Sequence, residues 1–171
     1  MTNGLVNSSD LYRAALVQGV AALDRYVHGV VLDLGVEILL GRRPAVSSSR
    51  VGMSLKGVAA LINTSNPAVR ELAARSILAE RLGAETFQRP DDIANAMAMV
   101  GIKAIWSKAF ANAEQAKIAV GVIVNRRNKI VHQCDYDPAT LGAISPISVP
   151  DILDALDVID ITIKTIDPHC S

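Results

Sequence analysis

The sequence predicts an all-α bundle of about five or six helices, packed as one domain over residues 1–171. Three features of the chain point there. Apolar residues recur at three- and four-residue spacing over long stretches, as on one face of a helix. Those stretches are bounded by capping residues, prolines and glycines. No segment alternates apolar and polar residues as a half-buried strand would, and no internal repeat is present. A chain of 171 residues suits a single domain with a core of its own.

Taken in order, residues 9 to 40 read as one long helix, or two joined near Gly35. Leu16, Val20, Leu23, Val27, Val30, Val31 and Leu34 form its continuous apolar stripe, and "SSD" supplies cap candidates. "GRRPAVSSSRVG", residues 41 to 52, is a loop punctuated by Gly and Pro. A short helix is expected over 53 to 62. The next helix has a clear start and stop, with Asn66 to cap, Pro67 at the first helical position and Gly83 at its end. "RPDDIANAMAMVG" repeats that grammar in a shorter helix, and "IKAIWSKAF" adds a turn or two. A helix over about 112 to 133 follows, with Asn112 as its cap. "CDYDPATLGAISPIS" is a loop with two prolines, and an amphipathic helix over 149 to 167 closes the chain. Short connections make antiparallel neighbours the expected packing.

Composition narrows the setting. Seventeen basic and seventeen acidic residues give a formal net charge of zero, so an anionic partner must be held by a local patch rather than a global field. Hydrophobic residues make up 50% and aromatics only 4%, so the core is mostly Ala, Val, Leu and Ile. Such an aliphatic excess fits either an Ala-rich helical core or an apolar surface covered by a second copy or partner. Cys134 and Cys170 form no C-x-x-C pair and predict neither a disulfide framework nor a zinc site. The most apolar long segment, "VHGVVLDLGVEILLG", carries His28, Asp33 and Glu37, which argues against a membrane span. With no signal-peptide pattern, a soluble, cytoplasmic setting is expected.

The chemistry-bearing stretch is "RRNKIVHQCDYD", residues 126 to 137, at the end of the 112–133 helix. At roughly 100° per residue, Ala116, Ala119, Val120, Ile123, Ile130 and Val131 share one stripe, and Arg127 falls near its middle. A guanidinium there costs free energy unless it is paired or faces a cavity. Asn128 and His132, four apart, share a face beside the stripe, within reach of the long Arg127 side chain. Arg126 and Lys129 lie off the stripe, where they complement the negative end of the helix dipole.

"RNKIVH", Arg127 to His132, resembles the R-x(4–6)-H signature of the HEPN superfamily in its form with Asn directly after Arg. "LDRYVH", Leu23 to His28, on the long first helix, is similar to the start of the RiboL-PSP branch of that superfamily. The order of helices agrees, although the specific part of the likeness is confined to these two stretches. The resemblance implies a metal-independent endoribonuclease, active as a homodimer in which the motif helices of two protomers face each other across a cleft. Arg127 and His132 would be the catalytic pair and Asn128 the accompanying polar residue. It further implies RNA as substrate, no cofactor and no metal, and a role as a toxin or a defence or stress effector beside an antitoxin or sensor. The alternative is a non-catalytic HEPN-like module that binds a nucleotide, RNA or a protein. An enzyme acting on a small phosphorylated molecule with the same Arg and His is a third option.

Other residues stand as accessories. Asp24 and His28, four apart on the first helix, either line the cleft, with Asp24 paired to His28 or Arg127, or form a surface pair. Arg126 lies beside the motif, and Tyr136 offers a ring to stack on a base or to anchor the loop. Arg42, Arg43, Arg50 and Lys56 form a basic loop with no acid between 41 and 56, able to hold RNA phosphates or simply to be solvated; Lys129 adds a further cation. Cys134 close to His132 invites a Cys/His nucleophile, yet nothing supplies an oxyanion site or an orienting third group. His169, at the C-terminus, carries no assigned role.

Overall fold

A computed structural model describes residues 8–136 and 143–170; residues 137–142 of the expected 134–148 loop lie outside the described residues. The described residues form a helical bundle of seven α-helices, with no strand among them. These are α1 (Ser8–Leu39), α2 (Leu55–Asn63), α3 (Pro67–Leu82), α4 (Pro90–Met99), α5 (Ile105–Ala109), α6 (Ala113–Gln133) and α7 (Val149–Ile166), with a 3-10 turn over Asp167–His169. The number passes the expected five or six because the five-residue α5 stands as a helix of its own. α1 runs through Gly35 unbroken for 32 residues, about 48 Å at ~1.5 Å per residue.

Local signals set the boundaries, at Asn66 and Asn112 as expected and at Ser148 where no cap was read from the sequence. Asn66 Oδ1 accepts hydrogen bonds from the Ala68 and Val69 amides at the start of α3. Ser148 and Asp151 form a reciprocal capping box on α7. Asn112 Oδ1 accepts from the Gln115 amide to open α6.

α1 is the spine, with α3, α4, α6 and α7 all packed on it. Leu16, Val20, Leu23, Val27 and Val31 carry its stripe into the main core. There they meet Ile93 and Met97 of α4, Ile105 and Trp106 of α5, Val120, Ile123 and Val124 of α6, and Ile152, Ile159 and Ile166 of α7. Val36, Ala74 and Leu78 form a second, smaller cluster between the end of α1 and α3. α2 packs on α3 and leaves Leu55 and Ile62 exposed. Among the described residues, no helix is long and apolar enough to cross a membrane.

Candidate functional site

The site is built on the last two turns of α6. Val120, Ile123 and Val124 are buried, and Ile130 packs against the core. Arg127 occupies the same stripe, where an aliphatic side chain would pack. Its Nε is buried without a hydrogen-bond partner, and its Nη1 donates to Asn128 Oδ1 at 3.0 Å. Among the described residues the Arg127 guanidinium makes no ion pair. One turn beyond Asn128, His132 is exposed, as is Val131, so the stripe leaves the core at this point. The structure therefore joins Arg127 to Asn128 and leaves His132 at the surface. No hydrogen bond among the described residues ties His132 to either. Five residues at ~100° each place Arg127 and His132 about 140° apart around the helix.

The turn after α6 is held more firmly than its sequence suggests. Cys134 and Asp135 both adopt left-handed backbone angles, φ 50° and 59°, a region that favours glycine. Both amides turn back to the Lys129 carbonyl, that of Asp135 at 3.0 Å. Asp135 is fully buried. Its Oδ2 accepts from Arg13 Nε at 3.0 Å and from Arg126 Nη2 at 2.8 Å. The Ser145 carbonyl accepts from Arg13 Nη2 at 2.9 Å and Arg126 Nη2 at 3.2 Å, and the Pro146 carbonyl accepts from Arg126 Nη2 at 3.1 Å. The Ser145 amide donates to the Asp135 carbonyl at 2.9 Å. Two arginines, one carboxylate and two carbonyls thus fasten the start of α1, the motif helix and the segment entering α7.

Arg126 is accordingly not the solvated basic residue of a helix end; it is turned inward onto a buried carboxylate. Lys129 is exposed. Tyr136 forms an isolated bridge with Ile144 and keeps its side chain exposed.

Asp24 and His28 do not meet Arg127 within one chain. Asp24 Oδ1 accepts from the Phe87 amide at 2.6 Å, and the His28 ring packs 4.4 Å from that of Phe87. His28 Nδ1 and Nε2 lie 2.9 and 3.1 Å from the carbonyl oxygens of Asp24 and Leu82. This pair fastens α1 to the α3–α4 connection, about 17–22 Å along α1 from Arg13 and its turn. Within the basic loop, Arg42 is paired by acids that lie outside it, Glu37 at 3.1 Å and Glu71 at 2.5 Å, and its pKa is raised by the Glu71 hydrogen bond. Arg50 lines a separate cavity with Arg81, Glu85 and Asp92. Arg42 and Arg43 follow the far end of α1, about 40 Å along it from Arg13, so the loop does not extend the α6 site within one chain.

Sequence reasoning missed Arg13 and Asp135. They lie 122 positions apart, and only the fold brings them together. The available signal was local: an Asp just past a helix end that has no glycine to turn it. Among the described residues, no group of three or more His, Cys, Asp or Glu side chains is placed to hold a metal ion. Compared with protein-family models, curated proteins and solved structures, the chain matches none of them.

Proposed function

We propose that the chain is a HEPN-type endoribonuclease that cleaves RNA without a metal, at a site formed by Arg127, Asn128 and His132. One observation carries this reading. Arg127 stands on the apolar stripe of α6 with no carboxylate partner among the described residues and its fork pinned by Asn128, beside an exposed histidine. A half-buried guanidinium without a counter-charge is costly as packing and useful as a site for an anion.

The chemistry suits these groups. The RNA 2′-oxygen attacks the adjacent phosphorus in line, forming the 2′-O–P bond while the P–O5′ bond breaks. A base takes the 2′-hydroxyl proton and an acid returns one to the departing 5′-oxygen, leaving a 2′,3′-cyclic phosphate and a 5′-hydroxyl. Histidine serves either step near neutral pH, and an arginine fork stabilises the added charge on the phosphoryl oxygens. In a homodimer, the His132 of each protomer takes one of the two proton transfers. Ile118 and Val122, 58% and 63% exposed on the outer face of α6, are apolar surface for that pairing. Tyr136 offers a stacking face nearby. The biological role we propose is that of a toxin or defence effector held in check by a partner protein, in a cytoplasmic setting.

A second reading, a binding module without catalysis, is favoured by the divergence of Arg127 and His132 around the helix. End-labelled structured and unstructured RNAs, incubated in excess EDTA, separate the two. We expect wild type to cut, and folded Arg127→Ala and His132→Ala variants to lose at least a hundredfold in rate. Wild type inert on every RNA, total cellular RNA included, removes the ribonuclease reading.

A further inference from the structure

We infer that Asp135, clamped by Arg13 and Arg126, is a positioning residue for His132, and that Arg13 on α1 belongs to the same device; this rests on the ribonuclease reading. The motif is bracketed by the clamp. Arg126 immediately precedes Arg127, and Asp135 follows His132 by three residues. The charge-assisted bond between them, 2.8 Å, closes a loop around the whole catalytic stretch. His132 lies in the last turn of α6, where backbone carbonyls lack helical partners and a helix ordinarily frays. Here fraying is opposed from both sides: the Lys129 carbonyl takes two amides, and Asp135 is pinned at its backbone by Ser145 and at its carboxylate by two guanidiniums.

The left-handed pair Cys134–Asp135 strengthens the inference. Successive residues with side chains adopt this region only where their surroundings over-determine it. The surroundings in this case are Arg13 and the Ser145 carbonyl, contributed by the start of α1 and by the segment entering α7. The backbone that carries an otherwise exposed histidine is thereby held by two distant parts of the fold. Arg13 is 12% exposed in its side chain and Asp135 0%, so neither is available to touch substrate; their effect runs through the turn.

The test uses the full-length protein and a fluorophore-quenched RNA of mixed sequence. Wild type is compared with Asp135→Asn, Arg13→Lys, His132→Ala and the Asp135→Asn/His132→Ala double variant, each held well below its own melting temperature and checked for oligomeric state. We expect Asp135→Asn and Arg13→Lys to lower kcat tenfold or more with KM within twofold, and the double variant to be no slower than His132→Ala alone. That last equality separates positioning through His132 from a general loss of structure, which would lower the rate further. Wild-type kcat in folded Asp135→Asn or Arg13→Lys, or a double variant slower than His132→Ala, overturns the inference and leaves the ribonuclease reading standing. An inert wild type overturns both. Arg13→Lys keeps the charge facing Asp135, so it carries the comparison if Asp135→Asn does not fold.

Discussion

Arg126 and Arg127 are adjacent in sequence and opposite in surroundings. Arg126 shares a buried carboxylate with Arg13. Among the described residues, Arg127 keeps one side-chain partner, Asn128. Helical spacing made Arg127 conspicuous, because an arginine in an aliphatic stripe breaks a pattern. It could not do the same for Arg126, whose position off the stripe looks like solvent until Asp135 is placed opposite it. Asp135 was hidden for a related reason: its burial depends on a left-handed turn that no glycine announces. That turn yields a stability prediction at Cys134, φ 50°. An L-residue there bears about 1–2 kcal/mol of strain, while glycine adds about 0.5–1 kcal/mol of unfolded-state entropy. Cys134→Gly is therefore expected to stabilise the chain by about 0.5–1 kcal/mol, raising Tm by about 2 °C in a thermal scan. A fall in Tm would mean that the Cys134 side chain makes contacts worth more than the strain.

At the scale of elements, start and stop signals were the most legible part of the chain. The caps at Asn66 and Asn112, both read from the sequence, and the one at Ser148, which was not, are made by local side chains binding local amides, so a window of four residues contains the whole cause. The partners of each helix were not legible in the same way. Asp24 and His28 share a face as their spacing predicts, yet which helix they would meet depended on the fold, and they meet the α3–α4 connection. The capping box of α7 also carries a pH dependence. Asp151 accepts from the Ser148 hydroxyl at 2.6 Å and amide at 2.8 Å, and these bonds hold its pKa below the ordinary carboxylate value. A carboxylate with a lowered folded pKa stabilises the fold above its unfolded pKa, and that contribution disappears as pH falls through the folded value. Ser148→Ala removes the N-cap of α7 and is expected to lower Tm by about 2–4 °C at pH 7. The gap between variant and wild type narrows as pH falls from the ordinary carboxylate range through the lowered folded value. A gap independent of pH would show that the Asp151 half of the box contributes nothing.

On the scale of the whole molecule, the aliphatic excess in the composition does not all disappear into the core. Among the described residues, exposed apolar side chains include Ile118 and Val122 on α6, Leu55, Ile62, Val69 and Leu72 on the α2–α3 hairpin, and Leu153 and Ile161 on α7. The sequence left open whether this excess was core or covered surface, because periodicity identifies an apolar face without saying what lies against it. The proposed function draws on the α6 face because Val122 and Ile118 lie about 80° and 40° around the helix from His132, so a second protomer there brings another histidine alongside it. A specific dimer buries roughly 1,200–2,000 Å² in all. A single carboxylate at its centre is enough to break it, because an unpaired charge cannot be desolvated there without a large penalty. Val122→Glu places that charge on a 63% exposed position, so the protomer fold tolerates it. Leu72→Glu, at a 69% exposed position on α3, is the matched control. Light scattering coupled to size exclusion is expected to find wild type and Leu72→Glu dimeric, and Val122→Glu monomeric and inactive on RNA with an unchanged helical spectrum. If Leu72→Glu dissociates the dimer instead, the α2–α3 hairpin is the interface and the α6 cleft is not. A monomeric Val122→Glu that still cuts RNA would mean that one chain holds the entire catalytic apparatus, with His132 serving both proton transfers in turn.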